Sequence, residues 1–120
     1  MNGLKIEYTI DNFSELITID KYSELAPKSK TKGVYFFYSI DKELLYIGKS
    51  TSCIRARICN HLITKIPNRY DDSANEWTLK KRKEYAYFAY IAIGNDFCDM
   101  VERFLIQKYN PKFNIEFNYN

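Results

Sequence analysis

The alternation of apolar and polar positions predicts a β-hairpin in the second quarter of the chain. Two runs rich in aromatic and β-branched residues, GVYFFYS at 33–39 and ELLYIGK at 43–49, are separated by a short polar tip. Runs of this composition are typical of strands, and the polar break between them is typical of a turn. Because side chains alternate along a strand, the first strand has two faces. One face carries Tyr35 and Phe37, and the other carries Val34, Phe36 and Tyr38.

A period of four residues then predicts an amphipathic helix over about 52–66. Thr51 or Ser52 is a natural N-cap, because a hydroxyl oxygen can accept hydrogen bonds from the first backbone N–H groups of a helix. At about 100° per residue, Arg57 and His61 lie one turn apart on a stripe beside the apolar face. The apolar positions of that face are Ile54, Ile58 and Leu62.

The sequence pattern in the last third of the chain predicts one strand and one helix. The run EYAYFAYIAI at 84–93 contains no breaker residue and is expected to pair with the hairpin. A helix follows over about 97–109, and Asn110-Pro111 ends it. Alternating residues at 4–10 suit a short edge strand, and a polar linker occupies 27–32. We therefore expect an α/β fold with a central three-stranded antiparallel sheet flanked by helices.

The length of 120 residues is that of a single domain. Residues 1–30 form an N-terminal extension, 31–115 the main domain and 116–120 a tail. A capping-box pattern at 73–76 predicts an inserted helix over about 73–83. The end of this helix is the densest basic cluster of the sequence, and a solvated helix end and a groove-facing DNA contact suit it equally well. The cluster consists of Lys80, Lys81, Arg82 and Lys83.

Composition adds few constraints. The net charge of +3 permits nucleic-acid binding without arguing for it, because clustering matters more than the total. Three cysteines in no CxxC pattern are expected to be reduced thiols without a zinc site. No run approaches membrane-spanning length and the first residues do not resemble a signal peptide, so we expect a cytoplasmic protein that does not contact a membrane.

The hairpin and the first helix carry residue types that suit phosphodiester chemistry. Hydrolysis of a phosphodiester needs a base for the attacking water and cations for the charge that builds on the phosphoryl oxygens. Tyr35 or Tyr46 could be the base, while Arg57 offers a planar, permanently charged fork and Lys49 a mobile ammonium. Taken one at a time, each has a plainer interpretation, since strand tyrosines usually pack in a core and helix arginines are usually solvated.

Gly-Val-Tyr at 33–35 and Tyr-Ile-Gly-Lys-Ser at 46–50, followed by Arg57 and His61, resemble the signature of the GIY-YIG nuclease superfamily. That superfamily includes homing endonucleases, some restriction enzymes and the incision domain of bacterial excision repair. The resemblance implies that Tyr35 takes a proton from water with Tyr46 as its companion, although the two roles could be exchanged. At the position of His61 the family has His or Tyr.

One departure from the family pattern concerns spacing, because one extra residue separates Lys49 from the arginines. Arg55 and Arg57 are therefore both candidates for the family's arginine. Arg57 is preferred for its i,i+4 relation to His61. Arg55 lies roughly 160° around the helix from Arg57, and we expect it to face solvent or the DNA backbone.

A second, separate match lies near the C-terminus. The segment ERFLIQKYNPKFN at 102–114 resembles the closing motif of the same superfamily. This resemblance implies that Glu102 binds a divalent metal, Mg²⁺ or Mn²⁺, and that Asn114 supports the active site. A structural salt bridge, for instance with Arg57, is the alternative for Glu102, because a carboxylate among apolar neighbours is costly unless it is paired or bound to metal.

The sequence therefore predicts a divalent-metal-dependent DNA endonuclease with weak intrinsic specificity. Two alternatives remain open at this stage. The chain could be a nucleic-acid-binding module without catalysis, or a subunit of a larger nuclease assembly. Because no helix-turn-helix or zinc finger is recognisable in the sequence, a homodimer or a protein partner could supply target recognition.

Overall fold

A computed structural model describes residues 14–27, 30–63 and 81–117, and an antiparallel sheet is the centre of this part of the chain. The sheet has the strand order β1-β4-β2-β3. Strands β2 and β3 form the predicted hairpin, and β4 pairs with the other edge of β2. The α/β class and the antiparallel sheet flanked by helices are confirmed. The strands are β1 (Ile17–Thr18), β2 (Gly33–Tyr38), β3 (Leu44–Ser50) and β4 (Tyr87–Ala92).

Four helices accompany the sheet in the described ranges. Two 3-10 turns, Ile19–Lys21 and Arg82–Glu84, precede α1 and β4 respectively. The predicted inserted helix over 73–83 lies mostly outside the described residues, so only its last turn can be compared. The helices are α1 (Tyr22–Leu25), α2 (Ile54–Ile63), α3 (Asn95–Tyr109) and α4 (Lys112–Phe117).

The side chains on the two sides of β2 pack into two different hydrophobic cores, as the alternation of side chains along the strand predicts. One core contains Tyr35 and Phe37 together with Ile54 and Ile58 of α2. The other core contains Val34 and Phe36 with residues of α3, among them Val101 and Leu105. The sheet is therefore covered on both faces, and α2 and α3 lie on opposite sides of the hairpin.

A short fourth strand, β1, was not predicted. Ile17 and Thr18 pair with Phe88 and Tyr87 of β4 and extend the sheet on that side. The edge strand that the sequence predicts over 4–10 lies outside the described residues. Two residues are too few for a periodicity to show, so only pairing with β4 defines β1 as a strand.

Several element ends differ from the sequence predictions by a few residues. The hydroxyl of Ser50, not Thr51 or Ser52, accepts hydrogen bonds from backbone N–H groups before α2, namely those of Ser52 (3.2 Å) and Cys53 (2.8 Å). A further helix, α4, follows Pro111 where the sequence analysis expected only the end of the domain. No helix in the described ranges is long and apolar enough to cross a membrane.

Candidate functional site

The hairpin register places Tyr35 opposite Gly48, and this pairing makes room for the tyrosine ring. Tyr35 and Gly48 are partners across β2 and β3. A Cβ atom at Gly48 would overlap the hydroxyl end of the Tyr35 ring. Glycine is therefore required at this position by a close approach, which is one of the general reasons for glycine within a strand. The ring of Tyr35 lies across β3 and directs its hydroxyl towards α2.

The hydroxyl of Tyr35 contacts His61 of α2 and lies near Arg57 of the same helix. Its oxygen lies 3.0 Å from Nε2 of His61, and the positive charge of the Arg57 guanidinium opposes the rise in the pKa of Tyr35. In the tautomer that leaves Nε2 unprotonated, the Tyr35 hydroxyl donates to His61. The predicted one-turn relation of Arg57 and His61 brings both to the same phenol.

Tyr46 completes an aromatic group around His61. The centroid of the Tyr46 ring lies 5.1 Å from that of His61 and 6.3 Å from that of Tyr35. Tyr35 is fully buried and His61 is 6% exposed, whereas Arg57 is exposed and Tyr46 partly so. The site therefore has an accessible rim, formed by Arg57 and Tyr46, and a buried floor, formed by Tyr35 and His61.

Burial keeps the aromatic groups of the site neutral in the absence of substrate. Burial and the neighbouring Tyr46 hydroxyl raise the pKa of Tyr35, an effect that Arg57 partly opposes. The pKa of Tyr46 is raised to about 12, mainly by burial and by the nearby Glu102 carboxylate. Burial, with Arg57 and Arg82 nearby, lowers the pKa of His61 to about 3. Deprotonation of either tyrosine thus requires added positive charge or immediate transfer of its proton.

Asn114 fixes β3 from outside the sheet. Its Oδ1 accepts a hydrogen bond from the backbone N–H of Ile47 (2.7 Å), and its Nδ2 donates to the carbonyl of Ile47 (2.9 Å). The buried amide satisfies both backbone groups of a residue that lies between Tyr46 and Gly48. This pair of hydrogen bonds fixes the backbone of β3 between Tyr46 and Gly48.

Glu102 of α3 presents a partly buried carboxylate to the same region. Burial raises its pKa, and Asp99 adds to this effect while Lys49, Arg103 and Arg57 oppose it. Its charge also contributes to the raised pKa values of Tyr46 and Tyr35. Within the described ranges Glu102 forms no ion pair, so the salt bridge that the sequence offered as an alternative is not formed.

The carboxylate of Glu102 is suited to binding a hard divalent cation. No group of three or more His, Cys, Asp or Glu side chains that could hold a metal occurs among the described residues. Magnesium does not need such a cage, because it commonly takes one or two carboxylates and completes its shell with water and phosphate oxygens. A partly buried carboxylate without an ion pair gains most from such a cation, and among the described residues Glu102 meets this description.

Lys49 lies beside Glu102 but is already paired. Its Nζ lies 2.5 Å from Oδ1 of Asp99, and Nε of Arg103 lies 3.1 Å from Oδ2 of the same carboxylate. The hydrogen bond with Asp99 raises the pKa of Lys49 and lowers that of Asp99. The sequence analysis did not single out Asp99, although its position one helical turn before Glu102 is the signal that would have identified it.

Arg55 is directed away from the site. Its Nη2 donates to the carbonyl of Ala26 (2.6 Å), and the side chain is partly buried against the segment that precedes the domain. The expectation that Arg55 faces solvent is therefore wrong. Arg55 does lie on a different side of α2 from Arg57, but that side of the helix also packs against another segment. That segment is the N-terminal extension, which the sequence alone did not place.

The predicted basic cluster is described only in part. Lys80 lies outside the described residues, and Lys83 is exposed. Nζ of Lys81 lies 4.6 Å from the centroid of the Phe113 ring, next to Asn114 in the sequence. The charge of Arg82 contributes to the lowered pKa of His61, so this arginine lies close to the site. The end of the predicted insertion thus adjoins the aromatic group.

A known protein family matches most of the chain. Residues 31–118 match the family model described as the GIY-YIG catalytic domain. UvrABC system protein C of Prochlorococcus marinus is 33% identical over 114 residues, which cover 94% of this chain and 16% of that protein. The same protein of Cytophaga hutchinsonii is 30% identical over 97 residues, which cover 80% and 15%. The chain thus spans about one sixth of the length of these relatives.

Solved structures show the same fold. The GIY-YIG N-terminal endonuclease domain of UvrC from Thermotoga maritima, bound to magnesium as its catalytic divalent cation, has a TM-score of 0.61 and 26% identity, and the match covers 80% of this chain and 94% of that domain. A tyrosine-to-phenylalanine variant of that domain, also bound to the catalytic cation, has a TM-score of 0.61 and 25% identity, with 80% and 93% covered.

Proposed function

The chain belongs to the GIY-YIG family of nuclease catalytic domains, and on this premise we propose that it is a divalent-metal-dependent endonuclease that hydrolyses phosphodiester bonds of DNA. One observation supports the proposal most strongly. The buried Tyr35 hydroxyl is hydrogen-bonded to a group that can accept its proton, His61, and lies near a permanent positive charge, Arg57. A tyrosine that only packs in a core needs neither group, whereas a tyrosine that moves a proton gains from both.

In the proposed reaction Tyr35 is the base for the attacking water. As the water oxygen approaches phosphorus, its proton passes to the Tyr35 oxygen and the hydroxyl proton of Tyr35 passes to Nε2 of His61. The pKa of His61 is low in the free protein, and the negative charge of a bound phosphate nearby raises it and so allows His61 to accept this proton. Phenolate therefore need not form in the free enzyme, where burial raises the pKa of Tyr35. The bond from phosphorus to the leaving oxygen breaks, and that oxygen takes a proton from solvent.

The charge that develops on the phosphoryl oxygens is stabilised from the rim of the site. Arg57 is exposed, and its planar fork is suited to bidentate contact with phosphate. Tyr46 offers a hydroxyl donor beside it. A divalent cation at Glu102 would supply further positive charge next to the same oxygens. Glu102 is the proposed ligand, and magnesium is the cation with direct support from the Thermotoga maritima domain; manganese remains a proposal from the sequence.

We propose that DNA approaches over the rim and reaches the basic residues near it. Lys49 lies near Glu102, Lys81 lies over the Phe113 ring and Arg82 lies near His61, whereas Lys83 is exposed. Arg55, by contrast, is part of the packing of α2 and is not assigned to DNA. Target recognition would come from a second copy of the chain or from a protein partner, and we propose a cytoplasmic location for the activity.

Plasmid cleavage tests the proposal. We expect the wild-type protein to nick or linearise supercoiled plasmid in Mg²⁺ or Mn²⁺, and we expect EDTA or Glu102→Ala to abolish the activity. Glu43→Ala, at the exposed tip of the hairpin, is the matched control and should cleave like wild type. Cleavage that persists in Glu102→Ala would place the metal elsewhere.

A wild-type protein that cuts no plasmid, branched or single-stranded DNA would disprove the nuclease activity of the isolated chain. DNA binding whose salt dependence is unchanged in Tyr35→Phe would then favour the alternative of a binding module. Size-exclusion chromatography with multi-angle scattering, with and without DNA, would show whether a second copy joins the complex.

A further inference from the structure

Tyr85 is a buried tyrosine beside the site to which no role has yet been given. It follows the 3-10 turn at 82–84, and its backbone N–H donates to the carbonyl of Arg82 (3.1 Å). The side chain is only 4% exposed. Its hydroxyl oxygen is buried and has no hydrogen-bond partner among the described residues. A buried hydroxyl without a partner destabilises a folded protein, so its retention calls for an explanation.

The ring of Tyr85 is fixed by aromatic packing against the site. It stacks on Phe37, with centroids 4.2 Å apart and planes 8° apart. Phe37 in turn packs edge-on against Tyr35 (5.7 Å) and His61 (5.3 Å). The Tyr85 ring lies 6.5 Å from the ring of His61. These contacts involve the rings alone, so they explain why the residue is aromatic and not why it carries a hydroxyl.

The hydroxyl of Tyr85 lies near the other tyrosine hydroxyls of the site. Burial is the main cause that raises the pKa of Tyr85, and the next causes are the nearby Tyr46 and Tyr35 hydroxyls. Tyr35 is buried as well, yet its hydroxyl contact with His61 serves the proposed reaction. Tyr85 thus resembles Tyr35 and His61, the residues of the buried floor, which are also buried in the free protein.

We propose that Tyr85 is a further catalytic residue, whose hydroxyl donates a hydrogen bond to an oxygen of the reacting phosphodiester. This inference rests on the proposed nuclease function. A phosphate oxygen is a strong acceptor, and a donor that is already fixed in place and unpaired loses no other hydrogen bond when the phosphate binds. The rigid stack on Phe37 keeps the donor in position without help from the substrate.

Tyr85→Phe tests the proposal, because it removes the hydroxyl and keeps the stacked ring. We expect kcat for DNA cleavage to fall by about tenfold to a hundredfold with KM nearly unchanged, since the hydrogen bond acts mainly in the transition state. We also expect the Tm of the DNA-free protein to stay the same or rise, because an unpaired buried hydroxyl is lost. Tyr38→Phe, on the opposite face of the sheet, is the control and should match wild type in kcat.

The outcomes separate this inference from the function on which it rests. A wild-type protein that cleaves DNA together with a Tyr85→Phe variant that cleaves equally fast would overturn the role of Tyr85 and leave the nuclease function standing. A clear fall in the Tm of Tyr85→Phe would also overturn it, because the hydroxyl would then have a structural partner. Absence of cleavage by wild type would overturn both.

Discussion

The hydroxyl oxygen of Tyr35 lies 3.0 Å from Nε2 of His61, and both side chains are buried. Because His61 is buried near two arginines, its pKa falls from 6.5 to about 3 in the folded protein. In the unfolded chain the imidazole takes up a proton near its ordinary pKa. Between pH 6.5 and about 3 the unfolded state therefore binds more protons than the folded state, and stability must fall as the pH falls through this window.

We predict that His61 makes the protein about 2 kcal/mol less stable at pH 5 than at pH 7, from the size of this shift. Urea unfolding of wild type and His61→Gln at both pH values isolates the contribution, since all other titrating groups are shared. The variant should lose less stability on acidification than wild type does. Equal losses in the two proteins would mean that His61 is protonated in the folded state.

Replacing Glu102 by Gln should change stability and activity in opposite directions. The partly buried carboxylate has no ion pair in the described part of the chain, so the neutral amide should leave the metal-free Tm unchanged or raise it. Cleavage should fall by about a thousandfold or more, because loss of the cation removes several kcal/mol of transition-state stabilisation.

A thermal scan with and without Mg²⁺ gives a second measure for the same variant. Wild type should gain stability from the cation and Glu102→Gln should not, because a ligand stabilises only the state that binds it. Glu43→Gln, at the exposed hairpin tip, is the matched control and should respond to Mg²⁺ like wild type. An equal shift in Glu102→Gln would show that the cation binds without this residue.

Replacing Asn114 by Ala should weaken both the fold and the site. The two backbone groups of Ile47 would lose their buried partners, at a cost of about 2–5 kcal/mol in the free energy of unfolding. Because Ile47 adjoins Tyr46, cleavage should also fall under conditions where the variant remains folded. Urea unfolding and plasmid cleavage measure the two effects, and Asn60→Ala on the exposed side of α2 is the control for stability. Unchanged stability of Asn114→Ala would contradict the role of the amide.

Replacing Gly48 by Ala should displace Tyr35. The added Cβ would overlap the tyrosine ring, and overpacking of this kind costs about 1–3 kcal/mol. A shift of about 1 Å in a reacting group can reduce the rate about a hundredfold, so activity should suffer more than folding does. The double variant Gly48→Ala with Tyr35→Phe provides the check. If Gly48 acts through Tyr35, the second substitution should add far less to the loss than it does alone.

The sequence determined the main strands and helices, and which site residues share a face, through local rules. Alternation assigned the two faces of β2 and therefore placed Tyr35 and Phe37 in one core. Helical periodicity placed Arg57 and His61 on one stripe, and they do meet at Tyr35. These relations depend on a repeat of two residues in a strand or of 3.6 residues in a helix. Such a repeat can be recognised within a short stretch of sequence. The resemblance to a family supplied the roles proposed for Glu102 and Asn114, which no local pattern contains.

Only the tertiary structure decided which groups found partners across the chain. Ala26 accepts a hydrogen bond from Arg55, which therefore packs against the N-terminal extension, and Asp99 pairs with Lys49 at a separation of 50 residues. Tyr85 is a core aromatic residue by the pattern of its own run, and only the packed structure shows that its buried hydroxyl has no hydrogen-bond partner among the described residues. Contacts between distant residues depend on how the elements pack, and the pattern within any one element does not contain that information.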